Sequence, residues 1–367
     1  MKLRSLGELK LLNEIRKRFS PVTVQKGSGI IVGIGDDAAV FSCDENKILV
    51  TTDMMNEGVH FDLSYTSAYQ IGFKLISVNV SDIYAMGGTP RFVFLDTAMR
   101  EDTDEEFFRD FFDGVSSALD KYSLQLLGGD ISSAINEMSF SATLVGFTDT
   151  FITRAGAMPG DKIYITGTLG DSACGLEILK RLTSIDRGII KNYKFITSKN
   201  LVKHPKSLSL TINSEHKQID FSIAEFLIRR HLMPVARSLG SIADNTTSMI
   251  DISDGLFIDL NRICDESNVG ARIYLSRIPL SSQVKLAAEI IGFDVCTLAT
   301  SGGEDYELLF TLPPEIAADS LESLPASDFT AITCIGEIVC NERILIASDG
   351  SESPLKVEGY QHFSASR

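Results

Sequence analysis

A chain of 367 residues, 44% hydrophobic and 23% charged, has room for two domains and contains no apolar run long enough to span a bilayer. Its formal charge of -15, from 49 acids against 34 Lys and Arg, excludes the basic surface that clamps nucleic acid. Six scattered cysteines with no C-x-x-C pair, and five dispersed histidines, exclude a zinc frame and point to reduced thiols in a cytoplasm.

The first segment, "MKLRSLGELKLLNEIRKRF", alternates charge and leucine at helical spacing and predicts an amphipathic helix. It lacks the separate apolar core and cleavage site of a signal peptide. "GIGDDAAV" follows, a glycine loop of the kind that cradles phosphate, yet it ends on two adjacent acids, Asp36 and Asp37. Such loops offer backbone N–H groups and usually a lysine to an anion, so carboxylates there would repel phosphate unless a cation sits between. "KILVTTDMM" and "GVHFDL" predict strands, "SAYQIGFKLISVNVSDIYAMGG" a helix and "RFVFLDTAM" a strand. In "DEEFFRDFFDGVSSALDKY", Phe107, Phe108, Phe111, Phe112 and Val115 recur at helical spacing. "SLQLLGGD" and "SFSATLVGFT" are again strand-like. The punctuation of residues 154–161, "RAGAMPGD", marks a linker and divides the chain into residues 1–150 and 151–367.

The second part opens with strand, glycine loop and helix in "DKIYITGTLGDSACGLEILKRL". It later gives "SMIDISDGLFIDLNRIC", "ARIYLSRIPL", "YELLFTL" and "ITCIGEIV". Mixed strands and helices in both parts predict an α/β or α+β fold, and no short repeat marks a solenoid. Residues 187–218 hold seven Lys or Arg and a single acid, Glu215. A solvated surface insertion is the expected role, with contact to a nucleotide or another polyanion as the alternative.

Acids recur at the ends of apolar segments. Asp53 follows "KILVTT", Asp130 follows "LQLLGG", Asp251 and Asp254 follow "SMI", and Asp82 lies in "SVNVSDIYAMGG". Ligands of α/β folds gather at strand ends and helix starts. In "IDISDG", Asp251 and Ser253 share one side of a strand, and the Asp254-Gly255 turn brings a third oxygen round. One such acid is ordinary turn or N-cap chemistry. Six or seven make an oxygen-rich set that suits Mg²⁺, which bridges carboxylates to substrate phosphates. On this reading the acids hold magnesium, and magnesium holds phosphate. No P-loop, protein-kinase motif set, G-x-S-x-G elbow or complete dinucleotide fingerprint competes with it.

Taken in order, "GIGDDAAV", "TTDMMNEGVHF", "NVSDIYAMGGTP", "LLGGD", "GDKIYITGTLGDSACGL", "IDISDGL" and "SGGEDYELLFT" resemble the thiamine-monophosphate kinase family, of the aminoimidazole-ribonucleotide-synthetase-like ATP-binding superfamily. The match runs from about residue 30 to "GYQHF"; residues 187–218 depart from it, being longer than the usual connection. The resemblance implies an N-terminal domain that pairs with its twin in a homodimer, two sheets joining around a shared barrel, and a C-terminal α/β domain. It implies ATP and thiamine monophosphate as substrates with several Mg²⁺ ions, and neither nucleic acid nor membrane as partner.

Carried over by motif, Asp37, Thr51, Thr52, Asp53, Asp82, Asp130, Asp251 and Asp254 are the implied metal ligands. Gly129, Asp130, Arg154 and Ser253 are implied to contact ATP, and His60, Glu304 and Tyr360 the thiamine moiety. Asp36 has no firm role. Arg154 suits bidentate phosphate binding, Glu304 an aminopyrimidine edge, and Tyr360 a flat ring. The implied reaction is in-line transfer of the ATP γ-phosphoryl group to the substrate phosphate. That acceptor, with a second pKa near 6, is largely ionised at neutral pH, so no dedicated base is needed. Another ATP-using enzyme of the superfamily, such as a selenophosphate synthetase or a hydrogenase-maturation protein, and a non-catalytic nucleotide sensor are the alternative readings.

Overall fold

The computed structural model describes residues 30–32, 36–43, 46–193, 205–316, 331–355 and 359. The expected helix near the start of the chain, Gly33 and Gly35 of the glycine loop, and Tyr360 lie outside these residues.

Six strands make the first sheet: β1 (Ile30–Val32), β2 (Ala39–Cys43), β3 (Asn46–Asn56), β4 (Thr89–Arg100), β5 (Gln125–Ala134) and β6 (Ser139–Thr148). Their order is β1-β2-β3-β6-β4-β5, and every neighbouring pair is antiparallel except β4 and β5. The alternation of "SFSATLVGFT" sets the buried face, where Phe140, Ala142 and Leu144 lie beneath two helices. The first, α1 (Ala68–Ala85), starts at a reciprocal cap: Ser67 Oγ accepts from the Gln70 N–H, and Gln70 Oε1 accepts from the Ser67 N–H. It is apolar nearly all round, as a helix covered on every side must be. The second, α2 (Glu105–Tyr122), buries one stripe through Phe111, Val115 and Ala118. Gly72 and Gly114 let the two backbones touch; a Cβ would stand 2.2 Å from Phe111 O or 2.0 Å from Tyr69 O.

The expected strand at residues 58–63 is instead a turn. Gly58, at φ +77°, bends the chain at the end of β3, and the N–H groups of Val59 and His60 both donate to Asn56 O.

The second sheet has the order β10-β12-β7-β13-β11-β14-β15. Its members are β7 (Lys162–Thr166), β10 (Ser248–Asp251), β11 (Gly270–Tyr274), β12 (Leu308–Leu312), β13 (Ile332–Val339), β14 (Arg343–Ile346) and β15 (Glu352–Pro354). Five further helices follow β7: α3 (Asp171–Arg181), α4 (Ser184–Lys191), α5 (Phe221–Leu232), α6 (Leu256–Ser267) and α7 (Ser282–Ile291), with the short α8 (Val295–Ser301) after them. α6 packs Leu256, Leu260 and Ile263 against Ile163, Ile165 and Leu309 of the sheet. α3, α5 and α7 contribute Ile178, Leu227 and Val284 to one continuous core with Phe140 and α1. No described helix is long and apolar enough to cross a membrane.

The basic segment is not simply a solvated insertion. Where it is described, it forms the end of α4 and the hairpin β8 (Ser207–Ile212) and β9 (Glu215–Asp220). Ile190, Leu208 and Leu210 are fully buried. Its cations serve as backbone donors: Lys191 Nζ reaches Leu63 O at 2.8 Å, and Lys217 Nζ reaches Ile290 O at 3.1 Å. Hydrophobic alternation within "SLSLTI" outweighs the surrounding charge.

Candidate active site

α1 carries acidic and hydroxyl groups where an apolar helix would otherwise continue. Asp82 meets Asp37, just before β2, and Asp251, at the end of β10; one carboxylate oxygen of each lies within 4.8 Å of the other two. Each neighbour is fixed by a short contact. Thr51 Oγ1 donates to Asp82 Oδ2 at 2.6 Å, and Ser81 Oγ donates to Asp251 Oδ2 at 2.7 Å. The Asp53 N–H donates to Asn79 Oδ1 at 3.0 Å.

Burial, and then the neighbouring acids, push the carboxyls of Asp82 and Asp251 well above the usual range. Asp53, although exposed at its own surface, rises to about 6, first through desolvation in its crowded surroundings and then through Asp37 and Asp254. Carboxylates this close cannot all ionise without a compensating cation. The donors are hard oxygens throughout, the set that Mg²⁺ selects, so the residues fit that ion.

Two arginines already compensate part of the charge. Arg154 grips Asp37 through Nε at 3.2 Å and Nη2 at 2.8 Å, while its backbone N–H donates to both oxygens of Asp36. Asp36 still rises to about 7, through burial first and Asp37 second. Arg262 bonds Asp254 and Asp259 at 2.6 Å each, and Asp259 Oδ2 accepts the N–H groups of Asp254 and Gly255. The Asp254-Gly255 turn is therefore tied to α6. The strand ends at Asp251, so Ser253 lies in the bend beyond it rather than on the same strand face.

Beside the cluster runs the loop from Gly302 to Glu307, where the Glu304 and Tyr306 N–H groups donate to Ser253 O and Ile252 O. Asp305 points away and caps α3, accepting from the N–H groups of Gly170 at 2.7 Å and Ser172 at 3.1 Å. Glu307 is likewise anchored, by Thr166 Oγ1, Arg230 and Arg237. Between these anchors Glu304 (φ +65°) and Tyr306 (φ +50°) adopt left-handed backbone, an uncommon state for residues with side chains. Glu304 Oε1 lies 2.8 Å from Lys74 Nζ, and Oε2 lies 3.2 Å from His231 Nδ1. Burial opposes its charge, but Lys74, then His231 and more weakly His60, hold its carboxyl below the usual range. Burial drives the Tyr306 hydroxyl well above its usual range, reinforced by Glu304, Asp53, Asp251 and Asp254.

Of the sequence-derived residues, Asp37, Thr51, Asp53, Asp82, Asp251, Asp254 and Arg154 come together; the Glu304 N–H donates to Ser253 O at 2.7 Å, and His60 is near enough to Glu304 to help lower its carboxyl. The Thr52 hydroxyl is not brought in: the pleat turns it to the opposite face, where it bonds Ala142 O and Thr143. Asp130 and Gly129 are also apart, on the exposed edge strand β5, with Asp130 in register with Asp96. Tyr360 is outside the described residues, although Gly359 beside it sits against Asp254 O. Sequence reasoning missed Lys74, His231, Tyr306, Arg262 and Asp259. Lys74 alone left a trace, as the one cation of an apolar helix whose other charge is Asp82.

Comparison with known proteins fits this geometry. Residues 35–148 match the model of the AIR synthase related protein N-terminal domain, and residues 158–345 that of its C-terminal domain. Thiamine-monophosphate kinase of Aquifex aeolicus is 33% identical over 99% of this chain and 100% of its own length. The chain belongs to the thiamine-monophosphate kinase family. Family members from Escherichia coli K12 (34% identical; 91% of this chain, 92% of the relative) and Bacillus subtilis (29%; 98% and 100%) agree. A solved structure described as AaThiL complexed with AMPPCP and TMP has a TM-score of 0.77 at 32% identity, covering 99% of both chains. The hydrogenase maturation protein HypE of E. coli, at 16% identity and a TM-score of 0.59, covering 96% of this chain and 98% of its own, shares the fold alone. As a member of a kinase family the chain is an enzyme and not a passive nucleotide-binding module.

Proposed function

We propose that the protein transfers the γ-phosphoryl group of ATP in line to the phosphate of thiamine monophosphate, giving thiamine diphosphate. The observation that carries this reading lies on α1. Asp82 belongs to an oxygen-only acid cluster, and eight residues earlier Lys74 holds Glu304; helical rise separates the two by about 12 Å. A two-ring phosphate ester spans such a cleft with its phosphate among the acids and its pyrimidine at Glu304. A similar solved structure described as complexed with AMPPCP and TMP supports this pair of substrates.

Asp37, Asp53, Asp82, Asp251 and Asp254, with Thr51, would hold Mg²⁺, which supplies charge neutralisation for the phosphates. Asp130 and the Thr52 position are assigned to this set by family motif. Arg154 carries the fork that grips phosphate oxygens and is exchanged from Asp37 when ATP arrives. Gly129 and Ser253 are assigned to ATP, and His60 and Tyr360 to the thiamine moiety. His60 accepts the Asn56 N–H at Nδ1, so its Nε2 bears the proton. The acceptor phosphate is already ionised at neutral pH, so positioning and charge do the chemistry.

A division near residue 150 is supported by the two sheets falling on either side of it. A homodimer through the first sheet is supported by β5, an exposed edge strand bearing Leu127 and Ile131 beside Phe94 of β4. The described cysteines are free thiols, as a cytoplasmic enzyme's would be. The test is incubation with ATP, Mg²⁺ and thiamine monophosphate, with free thiamine as the parallel acceptor. Thiamine diphosphate formed from the monophosphate alone is expected; its absence refutes the reading.

A further inference from the structure

Lys74 stands mid-way along an apolar helix with its side chain 5% exposed. A buried lysine is costly unless paired, and here its partner is Glu304. The ammonium makes no aligned hydrogen bond, so the attraction at 2.8 Å is one of charge. On the other carboxylate oxygen stands His231, which burial and then Lys74 hold neutral, its pKa pushed down to about 3. A neutral imidazole carries one N–H, and a bare Nδ1 lone pair would repel the carboxylate 3.2 Å away. A proton on Nδ1 removes that repulsion, and Ser172 Oγ, 3.2 Å from the same nitrogen, holds the ring in place.

Each oxygen of Glu304 is thus fixed from the buried side. Its side chain is 27% exposed, against 5% for both Lys74 and His231, so its open side faces the cleft. A carboxylate oxygen has two lone pairs, which leaves each one able to accept from a ligand. One turn earlier along the helix Gln70 Nε2, and just ahead of its N-cap Thr66 Oγ1, are buried without a partner. This edge of the helix holds polar capacity that the protein itself does not fill.

We propose that Lys74 sets specificity for the ring that the cleft receives: by holding Glu304 as a charged, acceptor-only group, it selects a pyrimidine presenting an amino group and rejects one presenting an oxo oxygen at the same place. Lys74 is a positioning residue acting through Glu304, and the inference rests on the thiamine-monophosphate reading. The test compares kcat/KM for thiamine monophosphate and for the analogue whose ring amino group is replaced by oxo. It uses the wild type, Lys74→Met, Glu304→Gln and the double variant, with KM for ATP measured in parallel.

Lys74→Met lowers the preference for the amino ring roughly 10- to 100-fold, the size of one hydrogen bond to a charged group. KM for ATP stays within about twofold, and the double variant loses no more than the worse single one. The double variant removes both charges, so it remains informative if Lys74→Met alone unfolds, and must show the same lost preference. An unchanged preference, a matching rise in KM for ATP, or additive losses overturns the proposal. A wild type that turns over neither ring overturns the functional reading with it.

Discussion

Asp82→Asn offers a test in which two effects must carry opposite signs. In the metal-free protein Asp82 faces Asp37 and Asp251 with oxygens within 4.8 Å, and each ionised pair at that distance costs about 3–4 kcal/mol at an effective dielectric of 20. Protonation caps that cost, because a carboxyl driven upward takes a proton instead, and Arg154 neutralises part of Asp37. A net gain of about 1–3 kcal/mol in metal-free stability remains for the amide. It keeps an acceptor for Thr51 Oγ1, so no hydroxyl is orphaned. The melting temperature in chelator therefore rises by a few degrees. With saturating Mg²⁺ and a non-hydrolysable ATP analogue, the wild type gains stability through binding and the variant gains less, so their order reverses. Thermal unfolding in both conditions, paired with turnover of thiamine monophosphate, reads this out. A variant that melts below the wild type in chelator, or gains as much from Mg²⁺, refutes the reasoning.

The acids also fix a pH dependence. Asp36 and Asp259, both raised from 3.8 to about 7 chiefly by burial, keep protons in the folded chain that the unfolded chain releases between about pH 4 and 7. Stability without divalent cations falls as pH rises across that window, and denaturation midpoints at about pH 5 and about pH 8 check the sign. Gly129→Ala costs about 1–3 kcal/mol, because φ is +146° and the new Cβ would lie 1.8 Å from Leu95 O; the denaturant midpoint measures it. Leu127→Glu and Ile131→Glu, on the exposed strand β5, convert the proposed dimer to monomer in sedimentation. A monomeric wild type rejects that dimer.

Much of this architecture was legible because strand and helix periods are local. β3, β4, β6, α1 and α2 lie where apolar spacing predicts them. The acid cluster was legible too, since most of the aspartates follow an apolar segment and Asp82 interrupts one, local features that topology then gathers. The turn at residues 58–63 was misread because its alternation imitates a strand, and one left-handed glycine decides otherwise. The hairpin within the basic segment was hidden by its charge, although Leu208 and Leu210 alternate correctly. Lys74 with His231, and Arg262 with Asp254, were beyond reach for a different reason. They are long-range or cross-element pairings, and no spacing rule within one segment records which buried charge meets which. The face chosen by Thr52 follows from the pleat once Thr51 is known to point inward.

Lys74 and Asp82 are carried by the same unbroken helix, and that has a consequence for which molecules the cleft accepts. An α-helix does not stretch, so the interval between Lys74 and Asp82 is set by covalent geometry at about 12 Å. The helix works as a caliper. On the proposed binding mode, free thiamine would stop short of the acids and the diphosphate product would extend past them. Discrimination by length is then built into one secondary-structure element and persists through any motion of its surroundings.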